Sequence, residues 1–173
     1  MMDRSRFRAE ADAYIDAHPD QRWEWREHPS GLGYMAREVE HIRREQLTAP
    51  ETLTCKQYVC YSATFQVPTF YFTLHDASGS PLAVTDLVGT TLFSRNAFEG
   101  TQQTSFAVSQ PDSAFPLLSQ GDHPTLGTPC WYFHPCQTAA AVDEIMKALG
   151  HGEQGLGLWV EKWFVVLGSV VNT

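Results

Sequence analysis

The segment Trp131–Thr138 reads Trp-Tyr-Phe-His-Pro-Cys-Gln-Thr and places Cys136 directly before a predicted helix. The hydroxyl of Thr138 can cap this helix, and Gly150 can end it. Between these two positions, apolar residues recur at offsets of three, four and seven, which is the spacing of one helical face: Val142, Ile145, Met146 and Leu149. We therefore expect an amphipathic helix whose N-terminus lies next to the cysteine.

Two further amphipathic helices are predicted towards the ends of the chain. In the first, Asp3 can cap the N-terminus, Pro19 ends the helix, and one face carries Phe7, Ala11, Tyr14 and Ile15. The second follows Gly155 and Gly157, and its apolar face consists of Leu156, Trp159, Val160, Trp163 and Leu167. Each apolar face needs a second layer of structure to pack against.

The central part of the chain is rich in β-branched and aromatic residues, which favours strands. Two strands are predicted at Gln57–Val67 and Thr69–Leu74, and the second presents Phe70, Phe72 and Leu74 on one face. A turn over Asp76–Pro81 closes the second strand. The polar segment Gly89–Gln120 is interpreted as an irregular connection.

The stretch Tyr34–Arg44 is ambiguous, because its Glu and Arg content favours a helix although a strand could place alternate residues on two faces. The order of helix, strands and helices nevertheless indicates an α+β fold of two layers. With 173 residues, the chain is predicted to form a single domain over residues 1–173.

The composition argues against several classes of protein. No apolar run approaches the roughly 20 residues that a membrane helix needs, and the N-terminus lacks a signal core, so we expect a soluble, cytoplasmic protein. A formal net charge of −8 disfavours a nucleic-acid-binding surface. Without a secretory signal, the four cysteines are expected to be reduced thiols, available for chemistry.

Cys136 is the cysteine best placed for covalent catalysis. A thiolate is a good nucleophile, and the thioester that it forms is readily attacked by an amine. Backbone N–H groups at the start of the predicted helix, together with the helix dipole, favour a thiolate at this position. The alternative is a buried, unreactive cysteine, since free cysteines are among the most buried residues.

Two other chemistries of the cysteine fit the sequence less well. A zinc site could draw on Cys130, His134 and Cys136, with His123 or His151 as a further ligand. In a strand, however, Cys130 and His134 would lie roughly 13 Å apart, too far for one metal ion, so neither a metal nor a cofactor is expected. A papain-like hydrolase is disfavoured because the sequence around the cysteine lacks the Cys-Gly-Ser-Cys-Trp type of motif.

Several stretches of the chain, taken together, resemble the autophagy-related protein 10 family. The first covers His123–Pro129 and continues with His-Pro-Cys-Gln-Thr at residues 134–138. The others are Trp23–Arg26 with Gly33–Met35, Tyr61–Pro68 with Tyr71 and Phe72, and Trp163–Val171. The resemblance extends from about residue 23 to the C-terminus, and the ordered combination of its motifs is highly specific.

This resemblance implies an E2-like fold in which flanking helices cover an antiparallel sheet, with Tyr34–His41 as the first strand. It also implies an enzyme that accepts the ubiquitin-like autophagy-related protein 12 from the E1-like autophagy-related protein 7. The modifier then passes from Cys136 to a lysine of the acceptor, autophagy-related protein 5. No cofactor is implied, and association with a membrane is at most transient.

The resemblance assigns the catalytic cysteine to Cys136. Ordinary ubiquitin E2 enzymes carry a His-Pro-Asn motif whose asparagine supports the developing oxyanion, whereas this chain carries His-Pro-Cys. His134 can therefore orient the thioester or donate to the oxyanion, and its alternative role is to stabilise a turn. Tyr61 can flank the thiol from the neighbouring strand, or it can belong to the core. His123 is interpreted as a loop residue, and Asp122 as a solvated one.

Two other functions are compatible with the sequence. Autophagy-related protein 3 also has a His-Pro-Cys motif, and it transfers its modifier to the amine of phosphatidylethanolamine. This chain shows neither a long acidic insertion nor an obvious amphipathic membrane-binding N-terminus, which disfavours that type. A non-catalytic E2-like module that docks partners through its sheet is disfavoured by the presence of Cys136.

Overall fold

The computed structural model describes residues 2–44, 51–149 and 155–172, and for Cys136 and Gln137 it describes the backbone alone. The helices are α1 (Arg4–Ala17), α2 (Val84–Leu87), α3 (Pro135–Leu149) and α4 (Leu158–Leu167), and a 3₁₀ turn spans Pro19–Gln21. The strands are β1 (Glu24–Arg26), β2 (Tyr34–Ile42), β3 (Thr52–Ser62), β4 (Val67–His75), β5 (Gln102–Gln103), β6 (Ala107–Ser109), β7 (Leu118–Asp122) and β8 (Pro129–Phe133). Within these residues, none of the helices combines the length and the apolarity needed to span a membrane.

The described strands form one antiparallel sheet with the order β1-β2-β3-β4-β8-β7-β6-β5. The long strands β2, β3 and β4 pair with one another over most of their length. The ladder between β4 and β8 is much shorter and consists of Tyr71 opposite Tyr132 and Phe72 opposite Trp131. These two pairs join one half of the sheet to the other.

Helices α1, α3 and α4 cover one face of the sheet, which is called the inner face. The core lies between these helices and the sheet. The predicted face of β4 is confirmed, because Phe70, Phe72 and Leu74 are all buried in this core. Alternate residues of the same strand, including Thr69 and Tyr71, point to the opposite, outer face. The predicted α+β arrangement of two layers is therefore confirmed.

The N-terminal helix forms as the sequence predicts. The backbone N–H of Arg6 donates to Asp3 Oδ1 over 2.8 Å, so Asp3 caps α1. Phe7, Ala11 and Tyr14 are buried on the predicted face. This face holds α1 against the sheet and α4.

A buried carboxylate links α1 to α4. Glu10 is 2% exposed, and its Oε2 accepts from the backbone N–H groups of Gly157 over 2.9 Å and of Trp159 over 3.1 Å. Gly157 precedes α4 with φ at 91° and has no side chain that could cap the helix. Glu10 therefore caps α4 from a neighbouring helix, and its negative charge also complements the positive end of the α4 dipole.

The predicted apolar face of α4 is confirmed over the helix itself, where Trp159, Val160, Trp163 and Leu167 are buried. The prediction is wrong for Leu156, which is 69% exposed. Leu156 precedes the first residue of the helix, so the helical spacing does not apply to it.

The predicted strand Gln57–Val67 is wrong at both ends. β3 begins at Thr52 and ends at Ser62, and the N–H of Gln66 donates to the Ser62 carbonyl over 2.7 Å to close a tight turn. The φ angle of Gln66 is 56°, in the left-handed region. The chain therefore reverses direction within a stretch that has the composition of a strand.

The ambiguous stretch after residue 33 is extended, which confirms the strand that the resemblance implies, since β2 covers Tyr34–Ile42. It is the second strand in the chain and not the first, because the short β1 precedes it. The segment Gly89–Gln120 was predicted to be irregular, but it contains β5, β6 and the first residues of β7. Strands of two and three residues, such as β5 and β6, are too short to show an alternating pattern.

Replacing Glu10 should destabilise the fold strongly. In Glu10→Ala, two buried N–H groups of α4 lose their acceptor, so the free energy of unfolding should fall by about 3 kcal/mol. Urea denaturation measures this change. Asp12→Ala is the control on the same helix, because Asp12 is 45% exposed and pairs with Arg8 at the surface. It should lower stability by less than about 1 kcal/mol, and equal effects would contradict the role assigned to Glu10.

Candidate active site

Cys136 is the second residue of α3, which follows β8 after a single connecting residue, His134. Pro135 occupies the first position of the helix, where the missing N–H of proline costs no helical hydrogen bond. The first turn offers backbone N–H groups and the positive end of the helix dipole, worth about 0.3–1 kcal/mol to an exposed anion. The backbone therefore places Cys136 where a thiolate is favoured.

The predicted N-cap at Thr138 is wrong. Because α3 starts at Pro135, Thr138 lies inside its first turn, and the Thr138 hydroxyl donates to the Pro135 carbonyl over 3.0 Å. Cys136 is thus part of the helix and does not precede it. Farther along α3, Val142 is fully buried and Met146 packs against the core, whereas Leu149 is 37% exposed.

A groove of about 290 Å³ adjoins the start of α3. Its lining comes from the ends of β3, β4, β7 and β8 and from the turn after β3: Ser62, Phe65, Thr69, Tyr71, Gly121, Asp122, Tyr132, His134 and Pro135. If the pairing of β4 with β8 continued for two more residues, Thr69 would lie opposite His134. The ladder ends before that pair. The groove lies on the outer face, beside the end of this ladder.

His134 lies between two exposed phenylalanines at one end of this groove. The Phe115 ring stacks on the imidazole with centroids 4.6 Å apart and an angle of 15°, and Phe65 meets it at 5.0 Å and 75°. The backbone N–H of His134 donates to the Leu117 carbonyl over 3.1 Å. Burial lowers the pKa of His134, so the imidazole is neutral at pH 7 and can act as both donor and acceptor.

The floor of the groove carries hydroxyl groups. The ring of Tyr71 stacks on Tyr132 with centroids 5.4 Å apart, and burial raises the pKa of Tyr71, so its phenol keeps its proton at pH 7. The Thr69 hydroxyl is buried and has no hydrogen-bond partner within the part of the chain that the structure describes. Asp122, interpreted from the sequence as a solvated residue, is exposed as expected, and it ends β7 and contributes its carboxylate to the lining.

The structure does not bring Tyr61 into the groove. Side chains alternate along β3, and Ser62 lines the groove, so Tyr61 points to the other face of the sheet. Its ring stacks against Phe7 of α1 with centroids 6.0 Å apart, and its hydroxyl donates to the Met2 carbonyl over 2.9 Å. These contacts anchor the N-terminal helix. They support the alternative in which Tyr61 belongs to the core, and a position of Tyr61 beside the thiol stays a prediction.

The other three cysteines are buried free thiols. Cys55, Cys60 and Cys130 are 0%, 2% and 3% exposed. Burial raises the pKa of Cys55 to about 12, and it also raises the pKa of Cys60 and of Cys130. These thiols are protonated at pH 7 and out of reach of another protein, so they are poor nucleophiles.

His123 lies in the loop between β7 and β8, as interpreted from the sequence, but it is buried at 1% exposure on the outer face. Its ring meets Tyr34 and Tyr58 edge-on, with both centroid distances at 4.7 Å. Two backbone N–H groups of the following turn donate to Nδ1 over 3.2 Å, so Nε2 carries the proton and faces Cys60 Sγ at 3.5 Å. His123 is thus a structural residue, and nothing in its sequence surroundings distinguishes it from a surface histidine.

The side chains considered as zinc ligands do not converge where they are described. Over residues 2–44, 51–149 and 155–172, no three His, Cys, Asp or Glu side chains approach closely enough to hold a metal ion. Both ring nitrogens of His123 are engaged by the contacts above. His151 lies outside the described residues, as does the predicted helix end at Gly150. The expectation that no metal is needed stays a prediction.

Comparison with known proteins gives a consistent result. Residues 6–173 match the family model described as "Autophagocytosis associated protein, active-site domain". A Homo sapiens protein named "Ubiquitin-like-conjugating enzyme ATG10" is 25% identical over 128 residues, which are 74% of this chain and 53% of that protein. Proteins of the same name from Arabidopsis thaliana and Dictyostelium discoideum are 29% and 26% identical over 66% of this chain, and over 47% and 48% of their own lengths. The chain thus spans about half the length of the curated relatives it matches.

Acid should destabilise the fold through His123. Burial lowers its pKa from the ordinary 6.5 to about 4, so between these values the unfolded chain binds a proton that the folded chain does not. The stability that depends on the neutral ring is fully present above pH 6.5 and is lost as the pH falls towards 4. At pH 5, the free energy of unfolding has fallen by about 2 kcal/mol. His123→Asn should shrink the difference in unfolding free energy between pH 7 and pH 5 by this amount, as measured by urea denaturation.

Tyr58→Phe is the matched control for this measurement. Tyr58 contacts the same imidazole, but burial raises the pKa of Tyr58 to about 12, far above the tested range. Its substitution should shift stability equally at pH 7 and pH 5. A His123→Asn variant with the full pH dependence of the wild type would show that another group causes the acid sensitivity.

Proposed function

Because the chain belongs to the family of autophagocytosis-associated active-site domains, we propose that it is an E2-like conjugating enzyme that carries a ubiquitin-like protein as a thioester on Cys136. The resemblance to autophagy-related protein 10 is confirmed by the family match and by relatives of that name from three organisms. The E2-like α+β fold is confirmed by the same family match and by the antiparallel sheet with flanking helices.

The contrast between Cys136 and the other cysteines carries the proposal. Cys136 begins a helix beside a groove, whereas Cys55, Cys60 and Cys130 are buried thiols with raised pKa values. A nucleophile that exchanges its acyl group with two other proteins must be reachable and readily ionised. Among the four cysteines, the position of Cys136 meets both requirements best.

The proposed reaction consists of two acyl transfers. The Cys136 thiolate attacks the carbonyl carbon of the modifier's thioester on an E1-like enzyme, and the E1 thiolate leaves as the new thioester forms. A lysine amine of the acceptor then attacks this second thioester. The C–S bond breaks, Cys136 leaves as a thiolate, and the amine loses a proton as the isopeptide bond forms.

In this scheme, the groove on the outer face holds the last residues of the modifier. The groove is lined by aromatic rings and hydroxyl groups, which suits an extended peptide with a polar backbone. His134 precedes Cys136 by two residues and, as a neutral ring, can donate to the oxyanion or orient the thioester. Tyr61 has no part in the scheme, because it contacts α1.

The names of the relatives support a ubiquitin-like modifier and an E1-like enzyme as partners, and the family resemblance implies which proteins these are. We propose that the modifier is autophagy-related protein 12, the E1-like enzyme is autophagy-related protein 7, and the acceptor is a lysine of autophagy-related protein 5. The reaction would take place in the cytoplasm, with at most transient contact with membranes. Transfer to phosphatidylethanolamine, as by autophagy-related protein 3, is the alternative, and the relatives named ATG10 disfavour it.

Cys136→Ser should convert the reductant-sensitive adduct with the modifier into a reductant-resistant oxyester, because an ester oxygen replaces the thioester sulfur. Charging by the E1-like enzyme, followed on gels with and without reductant, measures this change. Cys130→Ser is the control, because Cys130 is 3% exposed and should charge like the wild type. A reductant-sensitive adduct that persists on the serine variant would place the nucleophile at another cysteine. Absence of any adduct on the wild-type protein would contradict the proposed function.

His134→Ala should slow discharge of the preloaded enzyme to the acceptor by on the order of 100-fold, the typical effect of removing one oxyanion donor. Charging should be affected much less, since a transfer between two thiols depends less on such a donor than aminolysis does. Single-turnover discharge to autophagy-related protein 5, beside the melting temperature of the variant, separates catalysis from stability. Unchanged discharge in a protein that melts earlier would make His134 a structural residue.

A further inference from the structure

Two aromatic side chains that have no role in the proposed reaction contact the imidazole of His134. Phe115 covers one face of the ring in a nearly parallel stack, with centroids 4.6 Å apart at 15°. Phe65 meets the ring at 75° with centroids 5.0 Å apart. The two phenylalanines reach the imidazole from different parts of the chain, the turn between β3 and β4 and the connection between β6 and β7.

Neither phenylalanine belongs to the core. Phe115 is 52% exposed and Phe65 is 40% exposed, so burying their own apolar surface does not explain their positions. The connection around Phe115 is nevertheless ordered by its own hydrogen bonds. The Ser113 hydroxyl donates to the Phe115 carbonyl over 2.7 Å, and the backbone N–H of His134 donates to the Leu117 carbonyl over 3.1 Å. The backbone thus fixes the Phe115 ring beside the imidazole.

We infer that Phe115 is a positioning residue, which fixes the plane of the His134 imidazole at the start of α3 for transfer of the modifier from Cys136. This inference rests on the proposed function, because it gives His134 its task. Phe115 itself touches no reacting atom in the proposed reaction. It restricts rotation of the imidazole, and the exposed edge of Phe65 limits the movement of the ring on another side.

The stack also affects the charge of the imidazole, and two effects oppose each other. Phe115 and Phe65 exclude water, which disfavours the imidazolium, whereas an aromatic face attracts a cation. The ionisable groups that share the groove with His134 are Tyr71 of β4, Asp122 of β7 and Tyr132 of β8, and Cys136 follows on α3. Because burial lowers the pKa of His134, exclusion of water dominates. Removing Phe115 should therefore raise this pKa.

The test compares three substitutions of Phe115 with a matched control. Phe115→Ala should slow single-turnover discharge about 10-fold without changing charging by the E1-like enzyme, and it should raise the pKa of His134 measured by NMR titration. Phe115→Trp keeps a flat ring and should restore discharge to within about threefold of the wild type. Phe115→Leu keeps an apolar side chain without a flat face, so its discharge rate should lie between those of Phe115→Ala and Phe115→Trp. Phe106→Ala removes a phenylalanine that is 67% exposed and has no ring contact with His134, and it should discharge normally.

A double substitution distinguishes positioning from direct contact with the acceptor. If Phe115 acts through the imidazole, then Phe115→Ala should have no further effect on discharge in a His134→Ala protein. A full additional loss in that protein, or normal discharge together with an unchanged His134 pKa in the single variant, would overturn the inference. Failure of the proposed function gives a different result, because wild-type Cys136 would then not be charged at all. The NMR titration would still report whether Phe115 controls the imidazole.

Discussion

The short ladder between β4 and β8 is the constraint on which both layers of the molecule depend. Its two pairs, Tyr71 with Tyr132 and Phe72 with Trp131, join the half of the sheet formed by β1–β4 to the half formed by β5–β8. Because side chains alternate along each strand, the same ladder directs Phe72 and Trp131 into the core and stacks the two tyrosines on the outer face. The same two pairs therefore serve the core on one face and the groove on the other, because Tyr71 and Tyr132 line the groove.

The fold could be predicted where local patterns and tertiary packing agree. The N-terminal helix, its cap at Asp3 and the buried face of β4 follow directly from residue spacing, and the structure confirms them. Where pairing decides the conformation, spacing was not sufficient: β5 and β6 have two and three residues and exist because neighbouring strands supply their hydrogen bonds. The turn before β4 was missed for a related reason. Its residues have strand-like composition, and the left-handed backbone of Gln66 becomes favourable only when β3 and β4 pair.

The site could be predicted only in part. Some of its features follow from neighbouring residues in the sequence, whereas others require contacts between residues that are far apart in the sequence. The position of Cys136 near a helix start is a local property and was predicted, although the helix begins three residues earlier than Thr138. The groove is not local: it requires Thr69 and His134, distant in sequence, to face each other across a ladder that ends too early to pair them. The sequence leaves Tyr61 open between the thiol and the core for the same reason, because its face of β3 becomes apparent only from the contacts with α1.

The two histidines at the ends of β7 and β8 differ in burial, and this difference separates an effect on stability from one on the proposed chemistry. Burial lowers the pKa of both His123 and His134, so both rings are neutral at pH 7. In His123, backbone donors engage Nδ1 and a buried thiol faces Nε2, and a ring that is 1% exposed cannot reach another protein. His134 lies at the end of an open groove between two exposed rings, where a proton can be exchanged without unfolding. Protonation of His134 can therefore change the proposed transfer reaction while the fold persists, whereas protonation of His123 acts on the fold itself. Loss of the proposed activity in acid would thus combine two processes, and only the one that reverses without refolding would belong to the proposed active site.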